Sequence, residues 1–237
     1  MFIKKIKNFY KYSILFLLII LTNNARAEFF EDLSKIIENN EKRLSYGISV
    51  TDFNMDGNNE FLVTGFGFPN LALSFQDGKL KNINQQKIFS DISKKTIGVA
   101  ACDIDKDGFE EIYFLNTDTY SGSKIYSDRL IDLNNNKFED LFEKEINQNE
   151  LNLTAGRSVV CVDRNGDGAY GIYVANYGGP TRFYELIRDR IKDQAKSLSI
   201  DKITGGRAIV SGHILSDRSD IFAANERGDN FLYYNSK

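Results

Sequence analysis

One stretch recurs along the chain and limits what it can fold into. Residues 99–116 read VAACDIDKDGFEEIYFLN, with aspartates at alternate positions running into a glycine between two apolar runs. Aligned on Asp103, the same frame returns in SVTDFNMDGNNEFLVTGF (49–66) and VVCVDRNGDGAYGIYVANY (159–177). It returns again, worn, in IVSGHILSDRSDIFAAN (209–225). The register positions are Asp52, Asp103, Asp163 and His213, spaced by 51, 60 and 50 residues. In each unit a short apolar strand enters the loop, a second leaves it, and turn residues lead to further strands such as Asn70-Leu71-Ala72-Leu73. Short β-branched and aromatic strands at this period, about four to a unit, predict an all-β fold, a β-propeller-like array of about four blades. Proline is scarce and no Ser/Gly linker appears, so residues 28–237 read as one domain. Within it Leu186, Ile187, Ile191, Ala195 and Leu198 stand at helical spacing, which predicts a short inserted helix over 183–198. A short helix is also expected near the start of 28–44.

The loops have the chemistry of a hard cation site. A calcium ion takes six to eight oxygens from carboxylates, carbonyls and water. Alternate side chains of a tight loop can turn toward one point, and a glycine after the third lets a following carbonyl join. In loop 103–111 the candidate ligands are Asp103, Asp105, Asp107 and Glu111 with the carbonyl of Phe109. In loop 52–60 they are Asp52, Asn54, Asp56 and Glu60 with the carbonyl of Asn58. An EF-hand begins in the same way but closes with a glutamate at position twelve, where these loops have Val63 and Phe114. The acid at position nine therefore closes a compact loop. A solvated Asp/Gly turn is the plainer alternative, but converging carboxylates repel one another without a cation. The third loop, 163–171, offers Asp163, Asn165, Asp167 and the carbonyl of Ala169, with Gly171 where the closing acid belongs. Weak or absent binding is expected there. The fourth, 213–220, has His213 and Leu215 at ligand positions and is expected to be empty.

Residues 1–27 have the marks of a signal peptide: Lys4, Lys5, Lys7 and Lys11, an apolar run from Ile14 to Leu21, then Ala25-Arg26-Ala27. Their removal takes away five basic residues and leaves 25 against 33 acidic ones, a formal net charge of −8. Nucleic acid and anionic membrane are poor partners for such a chain, and cations are natural ones. An extracellular or periplasmic location is expected, with no membrane association after cleavage. Export permits a disulfide between Cys102 and Cys161. Cys102, however, lies one residue before its loop and Cys161 two, which puts them on opposite faces of aligned strands and favours two free buried thiols.

Asp-x-Asp-x-Asp-Gly-x-x-Glu loops at a propeller period resemble FG-GAP, or integrin-α-like, repeats. The strings VAACDIDKDGFEEIYFLNTD, GRSVVCVDRNGDGAYGIYVANY and ITGGRAIVSGHILSDRSDIFAANERGDNFLYYN are similar to successive blades of the cartilage acidic protein family. The resemblance spans roughly residues 45 to 235. It implies a calcium-binding extracellular propeller of FG-GAP blades with an adhesion or matrix role. It also implies a longer, seven-bladed ring followed by another module. Four repeats are therefore expected to form an incomplete propeller, either a fragment or an array completed by another chain, because an open array leaves strand edges exposed.

Catalysis has little support. One histidine, no Gly-x-Ser-x-Gly, no phosphate-cradling glycine loop and no zinc spacing argue against an enzyme. A propeller hydrolase or lyase working in the central channel is the alternative to a binding module for an extracellular or periplasmic protein or glycan. Arg227-Gly228-Asp229 reads as a turn, and Asn152-Leu153-Thr154 is a formal glycosylation sequon.

Overall fold

The computed structural model describes residues 29–84, 89–90, 92–134 and 137–236, so the leader expected over 1–27 lies outside the described residues. The chain divides into compact units at 1–36 and 37–237. The described part of the first holds a single 3₁₀ turn, Ser34–Ile36, where a short helix was expected.

The second unit is all β, and each repeat forms an antiparallel blade of consecutive strands. The first blade is β1 (Ile48–Thr51), β2 (Glu60–Val63), β3 (Leu71–Gln76) and β4 (Lys79–Asn82), and the second β5 (Thr96–Cys102), β6 (Glu111–Asn116), β7 (Arg129–Asn134) and β8 (Lys137–Asp140). The third is β9 (Gly156–Val162), β10 (Gly171–Pro180), β11 (Arg182–Ile187) and β12 (Arg190–Asp193), and the fourth β13 (Ile203–Gly212), β14 (Asp220–Asn225) and β15 (Phe231–Tyr233). Four blades make three sheets, because the far end of β10 pairs with β13 through Tyr177↔Gly205 and merges the last two blades.

Alternation along the second strand of each blade builds the core. In β6, Ile112 and Phe114 pack toward the first blade, against Phe53, Leu62, Ala72 and Phe89. Tyr113 and Leu115 pack the other way, against Ile172, Val174 and Tyr184 of the third blade. Strand β10 repeats this: Ile172 and Val174 face the second blade, and Tyr173 faces Ile221 and Ala223 of the fourth. Burying each such side chain contributes about 1.5–3 kcal/mol. Gly156 permits a close approach, since a Cβ there would lie 2.2 Å from Leu115 Cδ1.

The helix expected over 183–198 is instead β11, a tight turn with Arg188 and Asp189 at positive φ, β12 and a further turn. The reason lies in where the apolar residues go. Leu186 and Ile191 pack into the core toward the second blade, whereas Ala195 and Leu198 pack into the core toward the fourth. What reads as one helical stripe is two half-sets for opposite faces of a buried blade.

The preference for free thiols is likewise overturned. Cys102 and Cys161 form a disulfide, with Cα atoms 6.2 Å apart. Their offset does put them on opposite faces of equivalent strands. Blades stacked face to face bring opposite faces together, so the offset is what a bond between neighbouring blades requires.

An asparagine five residues past the start of the second strand fastens each later blade. Asn116, Asn176 and Asn225 donate through Nδ2 to the carbonyls of Ser127, Pro180 and Asp229. In the first blade, Asn70 Oδ1 instead accepts from Gly65 N at 2.8 Å. Asn152 of the sequon is fully buried and donates to Asp128 Oδ2 at 2.6 Å and Asn176 Oδ1 at 3.0 Å. It is a structural residue in the fold. Arg227-Gly228-Asp229 is the turn between β14 and β15, as expected.

The disulfide closes a separation of 59 residues. Replacing both cysteines by serine should lower unfolding free energy by about 3–4 kcal/mol, read as a lower urea midpoint that dithiothreitol reproduces in the native protein.

Candidate functional site

The aspartate loops join the first two strands of each blade, and strand register sets their length. Thr51 pairs with Glu60, Cys102 with Glu111 and Val162 with Gly171, whereas Gly212 pairs with Asp220 across a loop one residue shorter. The acid at position nine is thus the first residue of the outgoing strand, fixed by the sheet and not by the loop.

In the second loop the backbone coils around its own carboxylates. Asp103 accepts from Lys106 N at 2.6 Å and Gly108 N at 3.0 Å, Asp105 from Asp107 N at 3.0 Å, and Asp107 from Phe109 N at 2.8 Å. Gly108 has φ +91°, the left-handed conformation that the glycine of this pattern supplies. Oxygens of Asp103, Asp105 and Glu111 lie within 4.8 Å of one another. Glu111 is 2% exposed and accepts from Ile104 N at 2.7 Å. Burial, with the charges of Asp105, Asp132 and Asp107 behind it, pushes its pKa up to about 8. Asp105 is raised too, first by burial and then by Asp107 and Asp103.

The first loop has the same turn. Asp52 accepts from Asp56 N at 3.0 Å and Gly57 N at 2.8 Å, and Asn54 Oδ1 from Asp56 N at 3.2 Å. Asp56 accepts from the backbone and side chain of Asn58 at 2.8 and 3.0 Å. Glu60 is 0% exposed, and neither oxygen has a protein partner at hydrogen-bond geometry. Burial raises its pKa, with the charges of Asp56 and Asp52 acting the same way and the Ser74 side chain and Phe53 amide nearby opposing them. Among the described residues, the close three-acid cluster forms in the second loop and not in the first.

The remaining loops answer their charges from within the protein. In the third, Asp163 accepts from Gly166, Asp167 and Gly168 N, and Asp167 from Ala169 N. Lys106, reaching from the second loop, meets Asp167 Oδ2 at 3.0 Å. Arg164 binds Glu185 through Nε at 2.8 Å and Nη2 at 3.1 Å. A Cβ on Gly171 would come within 2.5 Å of the Phe183 ring, so that ring occupies the place of the closing side chain. In the fourth loop Asp220 is enclosed by its own surroundings. It accepts from Asn235 N at 2.7 Å, Leu215 N at 2.6 Å and both donors of Ser216. Those bonds, that of Asn235 first, hold its pKa down to about 2.

Three positions escaped the sequence reading. Asp132 adds charge behind Glu111, and its counterparts across register are Ser74 beside Glu60 and Glu185 beside Arg164. Strand pairing reveals the equivalence, since Ile112↔Ile131, Phe61↔Leu73 and Ile172↔Tyr184 put Asp132, Ser74 and Glu185 next in line.

These hairpins define a class: residues 52–114, spanning both acid-closed loops, match the FG-GAP-like repeat. Over 84% of its length the chain is 40% identical to cartilage acidic protein 1 of Homo sapiens and 42% identical to that of Xenopus tropicalis, so the expected family resemblance holds. The match takes in 34% of each relative, so the chain spans about a third of their length. The fold is also similar to the crystal structure of BBS1N in complex with ARL6DN, soaked with lead. That match has a TM-score of 0.51 at 12% identity, over 80% of this chain and 53% of the other.

Asp220 tests the account of the fourth loop. Its folded pKa lies below the unfolded value of about 3.9, so its contribution is present above that value and lost as pH falls toward about 2. Asp220→Asn should lower the urea midpoint at neutral pH and flatten its decline across that acid window, measured by tyrosine fluorescence.

Proposed function

We propose that the chain is an exported, calcium-binding FG-GAP repeat module whose first two loops each hold one Ca²⁺. Asp103, Asp105, Asp107, Glu111 and the Phe109 carbonyl are the ligands in one loop, and Asp52, Asn54, Asp56, Glu60 and the Asn58 carbonyl those in the other. One contrast carries the reading. The closing acids Glu60 and Glu111 are buried with too few protein donors, whereas Asp167, Glu185 and Asp220 are answered by lysine, arginine and backbone N–H groups. A buried carboxylate without a partner is costly, and a hard cation is what its oxygen set lacks. The third loop, with Asp163, Asn165, Asp167 and the Ala169 carbonyl, binds weakly or not at all, since Lys106 already answers Asp167.

Calcium stiffens the loops of a module that acts by binding, in an adhesion or matrix role outside the cell or in the periplasm. The buried Cys102–Cys161 disulfide supports an oxidising compartment. The resemblance to proteins named for cartilage supports the matrix role. The partner is an extracellular or periplasmic protein or glycan, and another chain of the same repeats is a further candidate for completing the array.

Calorimetry on metal-free protein should give two calcium equivalents and a rise in melting temperature. Glu60→Gln should remove one equivalent. Because it discharges a buried and unpartnered group, it should also raise the stability of the metal-free protein by about 1–3 kcal/mol. A wild-type chain that neither takes up calcium nor melts higher with it refutes the reading.

A further inference from the structure

The ends of the blades away from the aspartate loops carry a second recurring arrangement. Tyr46, Ile97, Arg157 and Arg207 each stand six residues before the register positions Asp52, Asp103, Asp163 and His213. Phe66, Thr117, Tyr177 and Glu226 follow the same positions by 14 residues in the first three blades and 13 in the fourth, whose loop is shorter. The two sets meet within blades and between neighbours. Arg157 of the third blade has its guanidinium carbon 5.1 Å from the Tyr120 and Tyr177 ring centres, and Arg207 of the fourth lies 5.2 Å from Tyr177. Lys95 Nζ is 5.7 Å from the Phe66 ring, which meets Tyr46 edge-on at 5.5 Å.

These side chains line a cavity of about 560 Å³ whose cations are Lys95, Arg157 and Arg207 and whose one acid is Asp118. Arg157 is the fixed member: its Nη1 donates to Gly156 O at 2.7 Å and Thr117 Oγ1 at 3.4 Å, and its Nη2 to Tyr120 O. Arg207 uses Nη2 on Tyr120 Oη and Glu226, which leaves its other N–H groups available. Among the described residues no carboxylate lies within ion-pair distance of Lys95. Burial and the like charge of Arg207 together push the Arg157 guanidinium below its usual range. Three cations against Asp118 and Glu226, with Lys95 paired to neither, leave an excess of positive charge among aromatic walls in a chain of formal net charge −3, a place made for an anion.

We propose that this cavity binds a carboxylate side chain of an acidic peptide segment, with Lys95 and Arg207 holding the charge and Tyr46, Phe66 and Tyr120 packing the stem. The distribution of charge favours a peptide over a sulfated glycan. A polysulfated chain needs a row of cations beyond one cavity and meets an acidic protein everywhere else, whereas a single carboxylate needs only the cavity. The inference does not depend on the calcium reading, because none of its residues belongs to the aspartate loops.

Tyrosine fluorescence in calcium-containing, low-salt buffer tests it, with a capped peptide of alternating glutamate and alanine as the probe. The glutamine counterpart and a heparin-derived oligosaccharide serve as the other arms. The glutamate peptide should bind saturably and weaken with salt. Arg207→Met and Lys95→Met, each with an unchanged melting temperature, should weaken it by about tenfold. Four results overturn the proposal: no saturable response, an equal response to the glutamine peptide, binding that survives both substitutions, or preference for the oligosaccharide. Should one variant fail to fold, the other and the peptide comparison still decide.

Discussion

Strand β6 is buried along its whole length, and the rest of the molecule depends on that fact. A strand with no solvent face must be covered on both sides, here by a blade before and a blade after. Alternation then divides its side chains, Ile112 and Phe114 to one neighbour, Tyr113 and Leu115 to the other. The repeat is stable only as a stack, since a lone blade of four short strands has nowhere to bury either face. Disulfide, asparagine corners and loop positions are all consequences of this stacking. Cys102 and Cys161 meet because they lie on facing sides, and Asn152 joins Asp128 to Asn176 across the same boundary.

Stacking also explains why the loops differ although their turns are alike. The closing residue is the first of a buried strand, so its side chain enters the seam between blades. An acid there is cut off from water and must find a cation or donors. The protein meets this need in two ways. Gly171 removes the acid, with Phe183 filling its place, and Arg164 balances the neighbouring Glu185. Asp220, at the end of a loop one residue shorter, draws backbone N–H groups from Leu215 of its own loop and from Asn235 beyond β15. Glu60 has no such donor and Glu111 has a single one, Ile104 N, and this shortage distinguishes their loops from a polar turn more sharply than the count of aspartates does.

How legible this was in the sequence follows from how many residues each feature needs. The hairpins and loops were readable because alternating aspartates, a glycine and flanking apolar runs lie within a dozen positions. The strands at 182–193 were misread because both faces of that blade are buried, and residues bound for opposite cores fell by chance at helical spacing. Local periodicity cannot separate one stripe from two half-sets; strand pairing does. The disulfide failed for a related reason, since the offset was measured correctly but judged for strands in one sheet and not for stacked sheets. Asp132 was hidden because its link to Glu111 runs through the pairing of β6 with β7 and leaves no mark in spacing.

Because packing uses both faces of the inner blades, chemistry is left to their ends, and the repeat treats the two ends differently. Antiparallel pairing sends every aspartate loop to one end of its blade and every first-strand start to the other. Carboxylates gather at the first, and Lys95, Arg157 and Arg207 at the second. The cations cannot drift toward the loops, since Arg157 is clamped by two tyrosines and by the carbonyls of Gly156 and Tyr120. The fold thus holds the two groups of charge apart at a fixed separation. A chain that is acidic overall thus gathers cations at one end of its blades, and the strands themselves set where that end lies.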